Sequence, residues 1–414
     1  MTTLIARIAI AVMALHVIDD SFLQPVPGTT FADHLVSGLV PLAALALAAW
    51  AFPRMRAGAR AATALMLAPF AIVLGAEAVR YWGEVGLSGD DYTGLLAIPA
   101  GIALFGVAGA TLWTSRRLDD SRYRRYPRRL LLAASGLLGF VWVVFPLSLS
   151  YVGTHIARAE VHTANLGTAH ETVTLRTRDG LDLAGWYIPS RNGAAVIVYP
   201  GRGTAQKHAR YLSRRGYGVL LFDRRGEGAS EGDPHGHGWT FDEDIKAAVA
   251  FLEQRADVEA GRIGGLGLSV GGEMMLQTAA DTKGLAAVVS DGAGVRVVSE
   301  ELSDLEGFEK AFGAPLLLVK TAALAVFSNH APPSDLTEYI PRIAPRPFML
   351  IHAAKGEVDN KTPEYLAAAR GPVEDWEVPK GGHTAGIRTM PEEYARRVLD
   401  FFDRSLRART DGSR

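Results

Sequence analysis

A serine flanked as Gly-x-Ser-x-Gly is a candidate nucleophile, and the chain carries that pattern twice. One copy is Gly267-Leu268-Ser269-Val270-Gly271, the other Gly228-Ala229-Ser230-Glu231-Gly232. With 44 glycines in 414 residues, the pattern has little weight alone. Its chemistry needs a strand ending at the serine and a helix starting just after, so that a tight turn exposes the hydroxyl. Arg262–Leu268 reads as a strand and Val270–Ala280 as a helix. Ser269 is therefore read as the nucleophile. Ser230 lies in a loop between Arg224 and Gly238 and is read as loop structure.

A serine hydroxyl is a poor nucleophile at neutral pH and needs an adjacent base. A serine on such an elbow takes its acid, then its histidine, from later strand ends. Beyond Asp291, two histidines are associated with late strands. His352 lies inside the apolar strand Phe348–Ala353 and reads as a core histidine. His383 lies in the loop Pro379-Lys380-Gly381-Gly382-His383-Thr384, after the last strand, and is read as general base and acid. The preceding loop, Lys355-Gly356-Glu357-Val358-Asp359, supplies the acid. Asp359 is the first choice, Glu357 the second, and Asp291 the third. The acid holds the imidazole tautomer and stabilises the imidazolium.

Developing negative charge on the substrate oxygen needs two aimed N–H donors. The residue after the nucleophile, Val270, offers one. The loop Tyr199-Pro200-Gly201-Arg202-Gly203-Thr204 follows the first central strand and offers the other. Pro200 has no N–H, so Arg202 is the candidate. His235 and His237 lack an evident third ligand, so neither a metal nor an organic cofactor is expected. No Gly-x-x-x-x-Gly-Lys phosphate loop is present, which argues against an ATPase. With no cysteine, disulfides, thiolate metal sites and a cysteine nucleophile are excluded.

The elements that must position these groups alternate strand with helix. Glu171–Thr177 and Leu181–Pro189 form a hairpin around Arg178-Asp179-Gly180. Further strands are read at Ala194–Tyr199, Gly218–Phe222, Arg262–Leu268, Ala286–Ser290, Phe348–Ala353 and Asp375–Val378, with helices between. This is a mainly parallel sheet with helices on both faces. Catalytic groups in such sheets sit at the carboxyl ends of strands. The stretch from about 294 to 345 breaks the alternation and is read as a small cap insertion over the site.

The first third is different. Residues 1–152 hold 12 Arg, no Lys and 9 Asp+Glu, whereas residues 153–414 hold 31 Lys+Arg and 35 Asp+Glu. Crossing a bilayer core takes roughly 20 apolar residues as helix. Five blocks approach or meet this: Thr3–Ile18, Leu35–Phe52, Ala61–Val79, Tyr92–Trp113 and Leu130–Val152. Arginines cluster between blocks two and three (Arg54, Arg56, Arg60) and between four and five (Arg116 to Arg129). Acidic residues mark the other connections. Cytoplasmic loops retain Arg and Lys, so the N-terminus is placed inside and the C-terminal domain outside. The expected organisation is a transmembrane region of about five helices over 1–152, a linker over 153–170, and an α/β domain over 171–410. The chain as a whole carries a formal charge of -1, which argues against a general nucleic-acid binder.

The second region resembles the α/β-hydrolase superfamily, with a closer likeness to Bem46-like and serine-aminopeptidase-like (S33/S9-like) members. The matching stretches are 177–186 (TRDGLDLAGW), 196–203 (VIVYPGRG), 216–232 (GYGVLLFDRRGEGASEG), 265–272 (GLGLSVGG), Gly356–Asp359 and Gly382-His383. The likeness covers roughly residues 170–405. Where that family often has His-Gly in the oxyanion loop, this chain has Pro200-Gly201. The resemblance implies an α/β-hydrolase fold and reads Asp223, Arg225, Gly226, Gly228 and Ser230 as a structural loop beside the site.

The expectation is a serine hydrolase of carboxyl esters, anchored in a bacterial cell membrane with its catalytic domain outside. A small-molecule or lipid ester is the expected substrate, and membrane lipid the expected surroundings. Three other readings stand beside it: a peptidase, an acyltransferase, and a non-catalytic receptor or transporter with a degenerate hydrolase domain. A peptidase selecting free N-termini needs acidic groups near the site. Glu300, Glu301, Asp304 and Glu306 are candidates, though their pattern reads as a solvated helix face.

Overall fold

The structure is a computed structural model and describes residues 1–86, 89–115, 121–158, 161, 166–203, 205–354 and 360–406. Contacts divide the chain into two compact units, Met1–Ala159 with Leu302–Ala331, and Glu160–Glu301 with Pro332–Arg414.

The first unit holds helices α1 (Thr2–Ile18), α2 (Leu35–Ala51), α3 (Ala57–Val85), α4 (Gly89–Leu95), α5 (Ala97–Thr114), α6 (Arg122–Gly139) and α7 (Phe145–Thr154). A π-helical turn, Phe140–Val144, joins α6 to α7. Small residues let the backbones close on each other. A methyl added at Gly101 on α5 would meet the Ala68 carbonyl of α3 at 2.7 Å, and Ala64, Ala68, Ala71, Ala97 and Ala100 are buried along the same seam. At one end of the bundle, His16 Nδ1 lies 3.2 Å from Thr93 Oγ1 and its Nε2 3.3 Å from Tyr151 Oη. Thr93 donates to Asp19 at 2.7 Å. The C-terminal end of α1, α4 and the C-terminal end of α7 therefore meet.

The second unit holds α8 (Gln206–Arg214), α9 (Asp242–Glu253), α10 (Val270–Asp281) and α11 (Val298–Ser303). The chain then returns to the first unit as α12 (Gly307–Ser328). It re-enters the second unit for α13 (Leu336–Tyr339), α14 (Thr362–Ala368), α15 (Gly386–Thr389) and α16 (Pro391–Ser405). The strands are β1 (Glu171–Arg176), β2 (Asp182–Ile188), β3 (Ala195–Tyr199), β4 (Gly218–Phe222), β5 (Ile263–Leu268), β6 (Ala287–Asp291), β7 (Phe348–Ala353) and β8 (Val373–Val378). They form one sheet in the order β1-β2-β4-β3-β5-β6-β7-β8. β2 is antiparallel to β1 and β4, and every other pair is parallel.

The continuous apolar run of β3 follows from burial on both faces. Ile197 and Tyr199 pack on one side with Ile245 of α9 and Met274 and Met275 of α10. Val196 and Val198 pack on the other with Leu212 of α8 and Phe401 and Phe402 of α16. Each such side chain contributes roughly 1.5–3 kcal/mol by leaving water.

The inserted stretch is divided between the two units. Residues 302–331 of the anticipated cap belong to the first unit, and α12 joins the five anticipated spans as a sixth helix long and apolar enough to cross a membrane. Glu309, Lys310, Pro315 and Lys320 punctuate its sequence and mask its length in an apolar count.

Candidate active site

The turn after β5 builds the site. Ser269 links β5 directly to α10 and adopts φ 53°, ψ -127°, a conformation that L-residues rarely hold. Its N–H donates to the Asp291 carbonyl at 2.8 Å, pinning the turn to the end of β6. Gly271 permits the approach of α10 to the sheet, because a methyl there would lie 2.6 Å from the Tyr199 carbonyl.

His383 sits in the loop after β8. Its Nε2 lies 2.8 Å from Ser269 Oγ, within hydrogen-bonding reach of the hydroxyl proton. Gly292, just past β6, backs the imidazole. It has φ +75°, and a methyl there would come within 2.8 Å of His383 Cε1. Two strand-end loops thus fix the ring against the serine. Val270 opens α10, so its amide is one of the first-turn N–H groups without an intrahelical acceptor, beside the nucleophile.

Arg202 is placed differently from expectation. Its amide donates to Asp223 Oδ1 at 3.0 Å, and its Nε and Nη2 donate to Oδ2 at 2.8 and 2.6 Å. Its guanidinium also lies over the Trp186 ring, 4.8 Å from the centroid. The cause is local. β3 and β4 are neighbours in the sheet, so the buried Asp223 carboxylate after β4 faces the loop after β3 and gathers its donors there.

Asp359 and Glu357 lie outside the described residues. Asp291 accepts a hydrogen bond from Tyr394 Oη at 2.8 Å in a buried setting. His352 is on β7 with its Nε2 3.1 Å from Asp375 Oδ1 of the adjacent strand. Ser230 is 0% exposed; it donates to the Asp223 carbonyl at 2.6 Å and accepts from the Ala184 amide at 3.0 Å. Among the described residues, no group of three His, Asp or Glu is placed to hold a metal ion.

Two carboxyl groups behave unlike their sequence pattern. Glu300, expected on a solvated face, is buried. It accepts from the amides of Arg296 at 2.9 Å and Leu336 at 3.0 Å, tying the two ends of the insertion together. Glu273, one turn into α10, is 4% exposed and accepts from the Gly294 amide at 3.1 Å. Burial pushes its carboxyl up to about 8, against the lowering pull of Arg296. The helical pattern around Gly271-Gly272-Glu273 carried no sign of this, since the burying groups come from residues 294–300.

A nucleophile elbow at the carboxyl edge of an eight-stranded, mainly parallel sheet, with a histidine from the last strand loop against the serine, defines an α/β-hydrolase. Residues 158–376, just over half of the chain, match the X-Pro dipeptidyl-peptidase family (S15 family), and the chain belongs to that family. It is accordingly a hydrolase of the esterase or peptidase type. Among curated proteins it is 27% identical over 229 residues to YfhR of Salmonella typhi, an alignment covering 51% of this chain and 74% of that one. It is 33% identical over 126 residues to the polyketide transferase grgF of a Penicillium species, covering 28% of this chain and 43% of that one. Among solved structures, the esterase Pf2001 of Pyrococcus furiosus aligns at 23% identity with a TM-score of 0.49, over 60% of this chain and 98% of that one.

Proposed function

We propose that the protein is a membrane-anchored serine hydrolase of carboxyl esters, working through an acyl-enzyme. The observation that carries this reading is the 2.8 Å approach of His383 Nε2 to Ser269 Oγ at a serine held in elbow geometry. Ser269 Oγ attacks the ester carbonyl as His383 takes its proton. The oxyanion of the tetrahedral intermediate is met by the Val270 amide. Collapse breaks the bond to the alcohol, which leaves with the proton from His383. Water then attacks the acyl-enzyme by the same proton route and frees the acid. Asp359 is the residue assigned to orient His383. In this reading the apolar helices anchor the domain, and the arginine-rich connections support an extracytoplasmic position for it at a bacterial membrane.

The test is labelling of the membrane-embedded protein with a fluorophosphonate, comparing wild type, Ser269→Ala and Ser230→Ala, followed by turnover of esters of graded chain length. Loss of labelling in Ser269→Ala alone supports the assignment. Absence of labelling in folded wild type overturns it. The family match favours a second reading, cleavage of peptides after an X-Pro pair. Turnover of an X-Pro amide in preference to every ester tried would select that reading.

A further inference from the structure

The backing of His383 is itself held by hydrogen bonds. Asp291 to Gly294 is the segment that leaves β6 at the active-site edge. Gly292 in it lies against the imidazole, where a methyl would come within 2.8 Å of Cε1 and 3.0 Å of Nδ1. Two of these four residues are glycines, which bring no side chain to fix the path. Main-chain ties fix it instead. The Asp291 carbonyl accepts from the Ser269 amide at 2.8 Å, and the Gly292 amide donates to the Ile351 carbonyl of β7 at 2.8 Å. The Gly294 carbonyl accepts from Tyr365 Oη of α14 at 2.8 Å, and the Gly294 amide donates to Glu273 Oε1 at 3.1 Å.

Glu273 makes the last of these ties. It lies on α10, one turn beyond Ser269, so the helix that starts at the nucleophile also grips the backing of the base. Its side chain is buried, and Oε2 has no hydrogen-bonding partner among the described residues. The charged and titratable groups facing it are Arg296 on the same loop, Glu300 on α11, Tyr365 on α14 and His383. The Arg296 guanidinium is directed to Gln277 Oε1 at 2.6 Å and the Ser334 carbonyl at 3.3 Å. A carboxylate with one oxygen so placed is costly, and burial pushes the group up to about 8. At neutral pH Glu273 is therefore a neutral acceptor for the Gly294 amide rather than a charge.

Filling space does not need a carboxyl here. An apolar side chain of similar size would pack without the desolvation cost. Among the described residues the Glu273 side chain makes one hydrogen bond, and that bond ends two residues from Gly292. The lever from Glu273 to the catalytic pair is short. Gly294 is held by the carboxyl, Gly292 lies against the ring, and the ring must keep its Nε2 2.8 Å from Ser269 Oγ.

We infer that Glu273 is a positioning residue for the reaction: through the Gly294 amide it holds Gly292 against His383, and so keeps Nε2 aimed at Ser269 Oγ. This role rests on the serine-hydrolase reading given under Proposed function. Glu273 acts through the loop, so its loss lowers kcat and leaves KM in place. The hydrogen bond, not the charge, carries the effect, so glutamine can replace it.

The test compares Glu273→Leu, Glu273→Gln and Tyr365→Phe in the full-length protein in detergent. Steady-state hydrolysis of a p-nitrophenyl ester is measured at pH 7, per fraction folded. Ser230→Ala, which removes a buried hydrogen bond elsewhere in the same unit, controls for lost stability. Glu273→Leu is expected to lower kcat by about 10- to 100-fold with KM unchanged, the range a displaced reacting group gives. Glu273→Gln is expected to recover most of that loss. A wild-type kcat in folded Glu273→Leu overturns the inference, as does a raised KM at unchanged kcat. A loss in Glu273→Gln equal to that in Glu273→Leu also overturns it, since the acceptor alone would then not suffice. If Glu273→Leu does not fold, Tyr365→Phe decides by releasing the Gly294 carbonyl. A lower kcat at constant KM then supports the role, and a wild-type kcat removes it. Fluorophosphonate labelling separates the two levels. Folded wild type that neither labels nor turns over ester removes the serine-hydrolase reading and this role with it. An active wild type with an equally active Glu273→Leu removes the positioning role alone.

Discussion

Ser269 Oγ and His383 Nε2 stand 2.8 Å apart although 114 residues separate them in the chain. The sheet creates this pairing: β5 and β8 end at the same edge, and their loops meet across β6 and β7. Groups that act as one unit lose activity together. Ser269→Ala and His383→Ala are each expected to lower kcat by about 10⁶, with little further loss in the double variant. Single-turnover ester hydrolysis measures this; additive losses would show that the two do not act as a unit.

Gly292 sets the backing of the imidazole. Gly292→Ala places a methyl 2.8 Å from His383 Cε1 at a φ of +75°. The ring has to move, and a displacement of about 1 Å at a reacting group costs on the order of 10²-fold in rate. We expect kcat to fall by about that factor while KM changes little. Unchanged kcat in the folded variant would show that the ring tolerates the methyl.

Ser230 separates stability from chemistry. Its hydroxyl joins the Asp223 carbonyl to the Ala184 amide in a site without solvent. Ser230→Ala leaves both groups without that partner and is expected to destabilise by about 1–3 kcal/mol. Fluorophosphonate labelling of the fraction that remains folded should match wild type. Thermal unfolding in detergent and gel-based labelling read the two effects separately.

The acid is tested by a pair of variants. Asp359→Asn is expected to lower kcat by about 10⁴, as the loss of a group that fixes the histidine tautomer does. Asp291→Asn weakens the acceptor of the Tyr394 hydroxyl and is expected to lower the unfolding midpoint, with a smaller loss of kcat. The reverse order of effects on kcat would make Asp291 the acid.

What could be read from sequence followed local physics. The five apolar residues of β3 are buried on both faces, so their pattern named a central strand. Ser269 was separable from Ser230 because a strand and a helix flank it directly. What escaped depended on distant partners. Glu300 looked like part of an acidic face, and only the return of the chain at Leu336 makes it a buried latch. The Arg202 amide was assigned from its loop, but its acceptor, Asp223, comes from a neighbouring strand end. The stretch from about 294 to 345 reads as a cap because it breaks the alternation of strand and helix; that residues 302–331 group with the first unit depends on distant contacts that leave no local mark.

Glu273 gives a pH signature. Its carboxyl ionises near 8 in the folded protein, against 4.5 ordinarily, chiefly through burial. Below pH 4.5 both folded and unfolded chains hold this proton, and the group adds no slope. Between 4.5 and 8 the folded protein keeps a proton that the unfolded chain has lost, so this group makes stability fall as pH rises. Above 8 both states are ionised and the slope ends. Across the window the effect is on the order of a few kcal/mol. Glu273→Gln retains an acceptor for the Gly294 amide and removes the ionisation. Asp244, pushed up to about 6 by burial, contributes to both proteins alike and cancels in the comparison. Unfolding midpoints of the full-length protein between pH 5 and 9 should therefore show the variant gaining on wild type up to about pH 8 and then running parallel to it. Parallel curves throughout would mean that Glu273 ionises normally, and that its pocket admits more water than its 4% exposure allows.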